Sequence, residues 1–417
     1  MRKTILFLLF YSICLANHPA FTNNEKGEQS GEEKEKPVSF RVSGFIKTDY
    51  WYDTRSIIAA REDLFLLFPA DINPDTNGAD LNGDGSFNYS AVSSRIAGYI
   101  KGPDAFNAKT SGLIEADFSG VTNADINGLR LRHAYVKLEW EKIDLMLGQW
   151  WHPMFGLGAV PTVVSLNTGA PFQPFIRNPL VSLTFKHDHW QTLVAAIAQR
   201  DNASDGPDGV SPKYLRNSAI PNVHLQFIYN KNTTTAGLAA DYKIIRPRMV
   251  TDSFYKTDET IGSYAFMGYI RHRPGLWDLK AKAIWGQNMS EHLMLGGYAE
   301  STTDPVTGFV SYTPLNHFFT WANIVYGEKI QAGLFAGYAH NFGTSEEVAG
   351  NYYGRGHNIA YVYRIAPSLS FTSGKVQFST ELEYTAAAYG TPGVMGKVTD
   401  HKETGNLRLL FTALYFF

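Results

Sequence analysis

The chain has 417 residues, a formal net charge of −2 at pH 7 and 14% aromatic residues, among them 23 tyrosines. The near-neutral charge excludes a generally basic nucleic-acid binder, although it says nothing about the local charge inside a pore. Beyond the N-terminus no stretch approaches the roughly 18 uninterrupted apolar residues of a spanning helix, so the chain is either soluble or inserted in a membrane as strands.

Residues 1–16 have the layout of a secretory signal peptide, with a basic start, an apolar middle and a small-x-small cleavage site at Cys14-Leu15-Ala16. Cleavage after Ala16 removes the single cysteine, so no disulfide stabilises the mature fold. The alternative is a lipoprotein acylated at Cys14, although Ile13 stands where a small residue is expected.

Residues 17–37 form the next segment, which is rich in Glu and Lys and lacks apolar spacing. Such a composition predicts a flexible charged leader rather than part of a folded domain. We therefore expect the folded domain to comprise residues 38–417.

A run of oxygen-bearing side chains follows within the long loop 54–89. Asp80, Asn82 and Asp84 are spaced as in the first half of a calcium-binding loop, but Ala91 stands where the bidentate carboxylate of such a loop is required. A structural calcium ion is one interpretation of this pattern. An Asx-turn in a glycine-rich loop is the other.

Alternation of apolar and polar residues recurs from residue 38 to the end of the chain. In 222–229, for example, Val223, Leu225 and Phe227 alternate with polar residues. The last twelve residues, 406–417, place an apolar or aromatic side chain at every second position, as in a strand that faces lipid. These patterns predict an all-β fold, namely a transmembrane antiparallel β-barrel of about 16 strands.

The predicted connections alternate between short turns and long loops, as they do in outer-membrane barrels. Two connections fit this rule poorly: 102–109 is a long turn and 119–127 is a short loop. A soluble double β-sandwich is the alternative, but it does not explain charged residues opposite the apolar face in strand after strand. We therefore place the protein in the outer membrane of a Gram-negative bacterium, in contact with lipid and lipopolysaccharide.

Residues 150–175 form a long predicted loop that is too apolar for free solvation, with Phe155, Phe172 and Phe175 among its side chains. We expect it to fold inward as a constriction loop. The alternative is a loop that packs over the rim or against a neighbouring subunit. Arg177, at its end, has a guanidinium suited to meeting a carboxylate or phosphate, although pairing with a loop acid explains it equally well.

Charged side chains opposite the apolar face are expected to line the lumen, where basic residues favour anions. Arg130 and Arg132 are in phase with the apolar Val136 and Leu138 and would face lipid, so a bulge or a position above the membrane is required to keep them out of it. The predicted pore and constriction residues are Arg95, Arg130, Arg132, Arg177, Lys186, Arg271, Lys280, Lys282, Glu381 and Glu383.

Four segments of the N-terminal half resemble the DcaP-like outer-membrane porins. They are Ser93 to Pro103, Gly128 to Trp140, Leu147 to Phe155 and Arg177 to Phe185. The resemblance implies a homotrimer of 16-stranded barrels that passes small, often anionic, solutes. Members of that family can carry an N-terminal coiled coil, but residues 17–37 are too short for one and lack apolar heptads.

The function that these patterns favour is passive diffusion of small hydrophilic, anionic solutes without a cofactor or an energy source. Two alternatives remain: a loop-plugged barrel that acts as an adhesin or scaffold, and an outer-membrane hydrolase. The sequence contains no G-x-S-x-G, H-E-x-x-H or Walker motif, so we do not expect an enzyme.

Overall fold

Antiparallel strands make up most of residues 38–200 and 202–417, the part of the chain that the computed structural model describes. The predicted signal peptide (1–16) and leader (17–37) lie outside this part. Within it the strands are, in chain order, β1 (Ser39–Asp53), β2 (Ile57–Ala60), β3 (Phe65–Pro69), β4 (Ser86–Ser90), β5 (Arg95–Lys101), β6 (Lys109–Asp117), β7 (Arg130–Glu139), β8 (Ile143–Trp151), β9 (Arg177–His187), β10 (Trp190–Ile197), β11 (Asn222–Lys231), β12 (Thr234–Ile245), β13 (Ile261–His272), β14 (Trp277–Gln287), β15 (Gly296–Thr303), β16 (Val310–Pro314), β17 (Asn316–Gly327), β18 (Ile330–Gly343), β19 (Tyr352–Arg355), β20 (Ile359–Ser373), β21 (Val376–Pro392) and β22 (Val398–Phe416).

Helical structure in the described residues is confined to short segments. They are the α-helix α1 (Lys213–Ser218) and the 3₁₀-helices Asn123–Asp125, Pro153–Phe155 and Ser290–His292. None of these segments has the length and apolar character needed to cross a bilayer as a helix.

Sixteen of the strands close into one antiparallel barrel, as predicted. The barrel strands are β1, β5 to β14, β17, β18 and β20 to β22. Closure occurs at β1, whose first half pairs with β5 and whose second half pairs with β22, from Phe45 opposite Phe416 to Asp53 opposite Arg408. Strand β4 continues the line of β5 along β1 beyond the short interruption at 91–94.

The barrel has two different rims. The connections at the turn rim are 102–108, 140–142, 188–189, 232–233, 273–276, 328–329 and 374–375. All of them except 102–108 are two to four residues long. At the loop rim they are 54–85, 118–129, 152–176, 198–221, 246–260, 288–315, 344–358 and 393–397. The alternation of turns and loops confirms the barrel organisation read from the sequence.

Two predicted connections at the C-terminal end are wrong. Residues 367–373, predicted as a turn, belong to β20, and most of 387–404, predicted as a loop, belongs to β21 and β22. Residues 367–373 begin with a proline, but Leu369 and Phe371, 51% and 50% exposed, alternate there with Ser368 and Ser370 as in a wall strand. Residues 387–404 lack such alternation and are interrupted by Gly390, Gly393 and Gly396. Residues 102–108 form a turn-rim connection despite their length.

The two faces of the barrel wall differ as the sequence predicted. On β11 the apolar Val223, Leu225 and Phe227 point outward, whereas Asn222 and His224 are buried inside. On the last strand Leu409 is 54% exposed on the outer wall and Arg408 only 1% exposed on the inner side. An apolar exterior around a polar interior is the arrangement of membrane-spanning barrels.

The interior contains a packed apolar cluster in addition to its polar wall. Phe155 and Phe172, from the connection 152–176, pack with Phe68 of β3 and with Trp321 and Phe335 of the wall. All five side chains are buried. Two loop-rim connections therefore fold into the barrel and fill part of its lumen.

Candidate functional site

The connection 152–176, hereafter the inward loop, enters the lumen between β8 and β9. Its base is closed by the backbone N–H of His152, which donates to the carbonyl of Ile176 at 3.1 Å. Phe155, Phe172 and Phe175 are at most 6% exposed. Burial of these rings inside the barrel removes from water the apolar surface that would otherwise be exposed in a loop. The predicted inward-folded constriction loop is therefore confirmed.

The inward loop crosses the lumen and binds the opposite wall. Lys282 on β14 donates from Nζ to the carbonyl of Phe155 at 2.6 Å and to Oε1 of Gln173 at 2.8 Å. Gly156 adopts φ +62°, and a Cβ there would lie 2.7 Å from Lys282 Nζ, so this approach requires glycine. Lys282, predicted as a pore-lining cation, thus holds the loop in place.

Further along the loop, Glu381 on β21 provides a second anchor. Its carboxylate accepts the backbone N–H groups of Val164 at 2.9 Å and Ser165 at 3.1 Å. Its neighbour Glu383 pairs with Arg364 at 3.1 Å. Both carboxylates are 1% exposed, so they contact protein rather than open solution in the lumen.

A second inward segment, the hairpin β2–β3, was not predicted from the sequence. The Phe65 ring lies 4.7 Å from that of Phe175, between ring centroids, and Leu67 and Phe68 are buried. Arg364 on β20 donates to the carbonyl of Leu67 at 2.9 Å. The apolar run 65–68 was the available signal, because four such residues are unusual in a solvated loop.

The tip of this hairpin is held in an uncommon backbone conformation. Arg61, Glu62 and Asp63 all have positive φ, at 59°, 49° and 65°. Non-glycine residues rarely adopt this left-handed region, and each costs of order 1–3 kcal/mol unless its surroundings fix it. The tip is fixed by Asn123, whose Oδ1 accepts the Arg61 N–H at 2.7 Å, and by Arg408, which donates to the Asp63 carbonyl at 2.7 Å.

Opposite these inward segments, β6 and β7 carry a network of paired charges. Arg130 binds Asp117 through two hydrogen bonds of 3.1 and 2.8 Å, and Arg132 bridges Glu115 and Asp117 at 2.7 Å each. Arg95 of β5 lies 3.6 Å from Glu115. Three of the predicted pore residues therefore meet on one part of the inner wall.

A β-bulge turns Arg130 and Arg132 toward the lumen. In the pairing of β6 with β7, Glu115 faces His133 and the next residue, Ala116, faces Leu131, so Arg132 is the extra residue. Leu131 is 45% exposed on the outer face, whereas both arginines are buried. The structure thus has the bulge that the sequence phase required.

Arg177, the first residue of β9, joins this arginine cluster without a carboxylate of its own. Its guanidinium lies over the rings of Trp151 at 4.9 Å and Phe175 at 5.4 Å. In residues 38–200 and 202–417 no atom accepts a hydrogen bond from its Nε or Nη1, although the residue is only 7% exposed. Buried arginine donors are normally paired, so an unpaired one marks a position at which an anion can bind.

The unpaired guanidinium faces a cavity of about 40 Å³ between the arginine cluster and the two inward segments. Arg61, Arg130, Arg132 and Arg177 line it on the basic side, and Phe65 and Phe175 on the apolar side. A cavity of this volume holds a few water molecules. The cavity is consequently small, positive and partly apolar.

The remaining predicted pore residues lie apart from this cavity, toward the turn rim. Lys186 pairs with Asp144 at 2.7 Å, and Arg271 binds Asp278 through two hydrogen bonds of 2.8 and 2.7 Å. Lys280 contacts Asp278 at 3.1 Å and also reaches the inward loop. Lys186 thus has Asp144 as its carboxylate partner, and Arg271 and Lys280 share Asp278.

The predicted calcium ligands lie in an exposed turn of the loop rim. Oδ1 of Asp80 accepts the N–H groups of Asn73 at 2.9 Å and Asn82 at 3.0 Å, and Arg55 pairs with Oδ2 at 3.1 Å. The hydrogen bond from Asn73 is the largest cause of the lowered pKa of Asp80. These contacts are those expected of an Asx-turn at Asp80. Calcium at Asp80, Asn82 and Asp84 stays a prediction.

The calcium prediction has a direct test in the protease sensitivity of the turn 71–84. Calcium binding should slow cleavage there, because carboxylate and amide oxygens that coordinate one ion cannot move independently. Cleavage is followed with and without a chelator in the wild type and in Asp84→Ala. Equal cleavage rates with and without the chelator would leave the Asx-turn as the complete explanation.

Comparison with known proteins agrees with this architecture. No family model and no curated protein matches the chain. Among solved structures, the outer membrane channel DcaP of Acinetobacter baumannii matches with a TM-score of 0.68 over 93% of this chain and 100% of that chain, at 16% identity. The outer-membrane expressed OmpT of Vibrio cholerae matches with a TM-score of 0.55 over 92% and 99%, at 10% identity.

A trimer form of in-vitro folded OmpT of Vibrio cholerae also matches, with a TM-score of 0.55 over 92% of this chain and 100% of that chain, at 8% identity. At these identities the likeness concerns the fold. It confirms the barrel architecture that the resemblance to DcaP-like porins implied.

Proposed function

We propose that this chain is an outer-membrane porin of a Gram-negative bacterium that lets small hydrophilic anions diffuse through its lumen. The closed barrel with an apolar exterior supports insertion in a membrane. The solved structures with similar folds are described as an outer membrane channel and as outer-membrane proteins. Lipid and lipopolysaccharide would then surround the outer wall, and small solutes would be the substrates.

Anion preference is supported by the charge balance beside the inward loop. Among the described residues, Arg95, Arg130, Arg132 and Arg177 face two carboxylates there, those of Glu115 and Asp117. Fixed cations at a narrow point lower the electrostatic barrier for anions and raise it for cations. Arg177 carries the proposal, because it lines the cavity and its guanidinium has no carboxylate of its own in the described part of the chain, so a carboxylate or phosphate in the cavity can pair with its charge.

A homotrimer is the assembly that we propose. The trimer form of OmpT shows that a barrel of similar fold assembles in this way. The outer wall here offers extended apolar surface, including Phe227, Leu238 and Phe266, which a neighbouring subunit or lipid can cover.

The selectivity test compares the wild type with Arg177→Met in planar bilayers under a salt gradient. Methionine keeps much of the side-chain volume beside Trp151 and removes the charge. We expect the wild type to show a reversal potential of the anion-selective sign and the variant to shift it toward zero. Openings in multiples of three would support the trimer.

Arg271→Met is the matched control, because it removes the same formal charge from an arginine that is already paired with Asp278 near the turn rim. Its reversal potential should stay close to that of the wild type. Equal shifts in both variants would show that total lumen charge, and not the unpaired Arg177, sets the selectivity.

A second candidate function is favoured by the packing of the lumen. The inward loop and the hairpin β2–β3 bury Phe68, Phe155 and Phe172 against the barrel wall, as a plug would. A loop-plugged barrel acting as an adhesin or scaffold would insert correctly and conduct little. Absence of stepwise openings from a heat-modifiable, folded barrel would favour this function over the porin.

A further inference from the structure

A buried group of potential metal ligands lies where the inward loop leaves the wall. His152 begins the loop, His224 lies on β11 and Asp241 on β12. One ligand atom from each lies within 4.8 Å of the other two, and the residues are 1%, 0% and 8% exposed. Two imidazoles and one carboxylate form a donor set that divalent transition metals, zinc above all, prefer in proteins.

The distances are close to those of a coordinated ion. Asp241 Oδ2 lies 3.0 Å from His224 Nδ1 and 3.7 Å from His152 Nε2. Ligand atoms about 2.0–2.1 Å from a tetrahedral zinc ion stand roughly 3.3 Å from one another. Small side-chain movements would therefore bring all three atoms to bonding distance.

His224 is already oriented as a metal ligand would be. Its Nε2 lies 3.3 Å from Oε1 of Gln226, and Gln226 in turn donates to the hydroxyl of Tyr269 at 2.9 Å. A metal-bound histidine usually donates its second ring N–H to such an acceptor, which fixes the tautomer and the direction of the free nitrogen. With the proton on Nε2, the lone pair of Nδ1 points toward Asp241 and the proposed ion.

A further histidine and an entry path lie beside the group. The ring of His292 lies 4.7 Å from that of His152, between centroids, and is 2% exposed. Its Nδ1 has no hydrogen-bond partner in the described residues. A cavity of about 300 Å³ on the side of the turn rim is lined by His152, Gln226 and Tyr269, so an ion can reach the group from the lumen.

We propose that His152, His224 and Asp241 bind one zinc ion at the base of the inward loop, and that the ring of His292 turns toward the ion to complete the site. The proposal goes beyond the diffusion function, and the site shares no residue with the arginine cluster. With one carboxylate and neutral imidazoles, binding of the divalent ion changes the net charge of the group from −1 to +1. The nearby Lys243–Glu291 pair is already neutral in sum.

Zinc binding would also change the first turn of the inward loop. His152 Nδ1 accepts the N–H of Met154 at 3.2 Å, which requires an unprotonated Nδ1 and hence a proton on Nε2. That proton points to the side-chain amide of Asn222, 3.0 Å away, whose oxygen then accepts it and which a bound ion would displace. Coordination through Nε2 moves the proton to Nδ1, and the N–H of Met154 loses its acceptor. The ion therefore couples to the conformation of 153–155, whose last carbonyl binds Lys282 across the lumen.

The experiment is a zinc titration of the refolded full-length barrel in detergent, with zinc alone as the probe. We expect one ion per chain, and at least about tenfold weaker binding in Asp241→Asn and His224→Gln, since even indirect partners of metal ligands contribute 10–100-fold. Cobalt(II) should give visible absorption bands of a tetrahedral site in the wild type, a readout that needs no variant. Zinc should alter the conductance of the wild type and leave that of Asp241→Asn unchanged.

The matched control is the double substitution His187→Gln and His189→Gln, which removes two histidines at the turn rim and should leave zinc affinity unchanged. Heat-modifiable migration in gels verifies that each variant is folded. A wild type that takes up no stoichiometric zinc and gives no cobalt bands overturns the proposal. Equal zinc affinity of the wild type, Asp241→Asn and His224→Gln overturns it as well.

Discussion

Replacing residues 158–170 by a short Gly-Ser linker is expected to raise the single-channel conductance several-fold. These residues include the contacts of the inward loop with Glu381 and with Arg364, through the carbonyl of Ala170. The base of the loop, closed by His152 and Ile176, remains. Removal of the crossing segment opens the part of the lumen that the inward loop fills, and conductance rises with the open cross-section.

The control for this prediction is a linker of the same kind in place of residues 304–308, an exposed tip between β15 and β16 outside the barrel wall. Its conductance should equal that of the wild type. If the inward-loop variant also conducts like the wild type, the hairpin β2–β3 is what limits the conductance. Replacement of 58–68 should then raise it.

Arg364→Met is expected to destabilise the folded barrel by about 3–5 kcal/mol, the range for removing one partner of a buried ion pair. Arg364 is 1% exposed and donates to Ala170 on the inward loop at 2.7 Å and to Leu67 on the hairpin at 2.9 Å. Methionine would leave Glu383, at 3.1 Å from Arg364, without its cation, and both carbonyls without their donor. Both inward segments should become mobile.

Urea unfolding in lipid vesicles gives the free energy of unfolding for this comparison. Arg271→Met is a suitable reference, since its pair with Asp278 is partly exposed and pairs of that kind contribute at most about 1 kcal/mol. Limited proteolysis of the inward segments should accelerate in Arg364→Met alone. Equal stability losses in the two variants would contradict the role of Arg364 as a joint anchor.

The barrel was predictable because every wall strand must turn apolar side chains toward lipid, and this requirement recurs along the chain. Strand 222–231 and the final strand both alternate between a side that faces lipid and a side that does not, and this period is visible in the sequence itself. The bulge at Arg132 could be anticipated for the same reason, because two arginines facing lipid would each cost roughly 2–4 kcal/mol at mid-membrane.

The interior was less predictable, because contacts across the lumen join residues far apart in the chain. Lys282, Glu381 and Arg177 all fit the phase or position of pore residues, yet the first two hold the inward loop and the third faces the cavity unpaired. The roles of these three residues depend on where the inward loop crosses the lumen. The hairpin β2–β3 was missed because the apolar run 65–68 has no wall strand next to it in the sequence.

The joining of β1 to β22 also has a consequence for the order of assembly. The N–H of Gly44 donates to the carbonyl of Phe417 at 3.2 Å, and that of Phe417 donates to Gly44 at 3.1 Å, so the strands that seal the barrel are separated by nearly the whole described chain. The entropy lost in closing a loop grows with its length, and contacts of such long sequence separation slow folding. Neighbouring hairpins can pair early, whereas the seam must form last and leaves two open strand edges until then. The seam is therefore the step at which an unfinished barrel is most exposed to pairing with another chain.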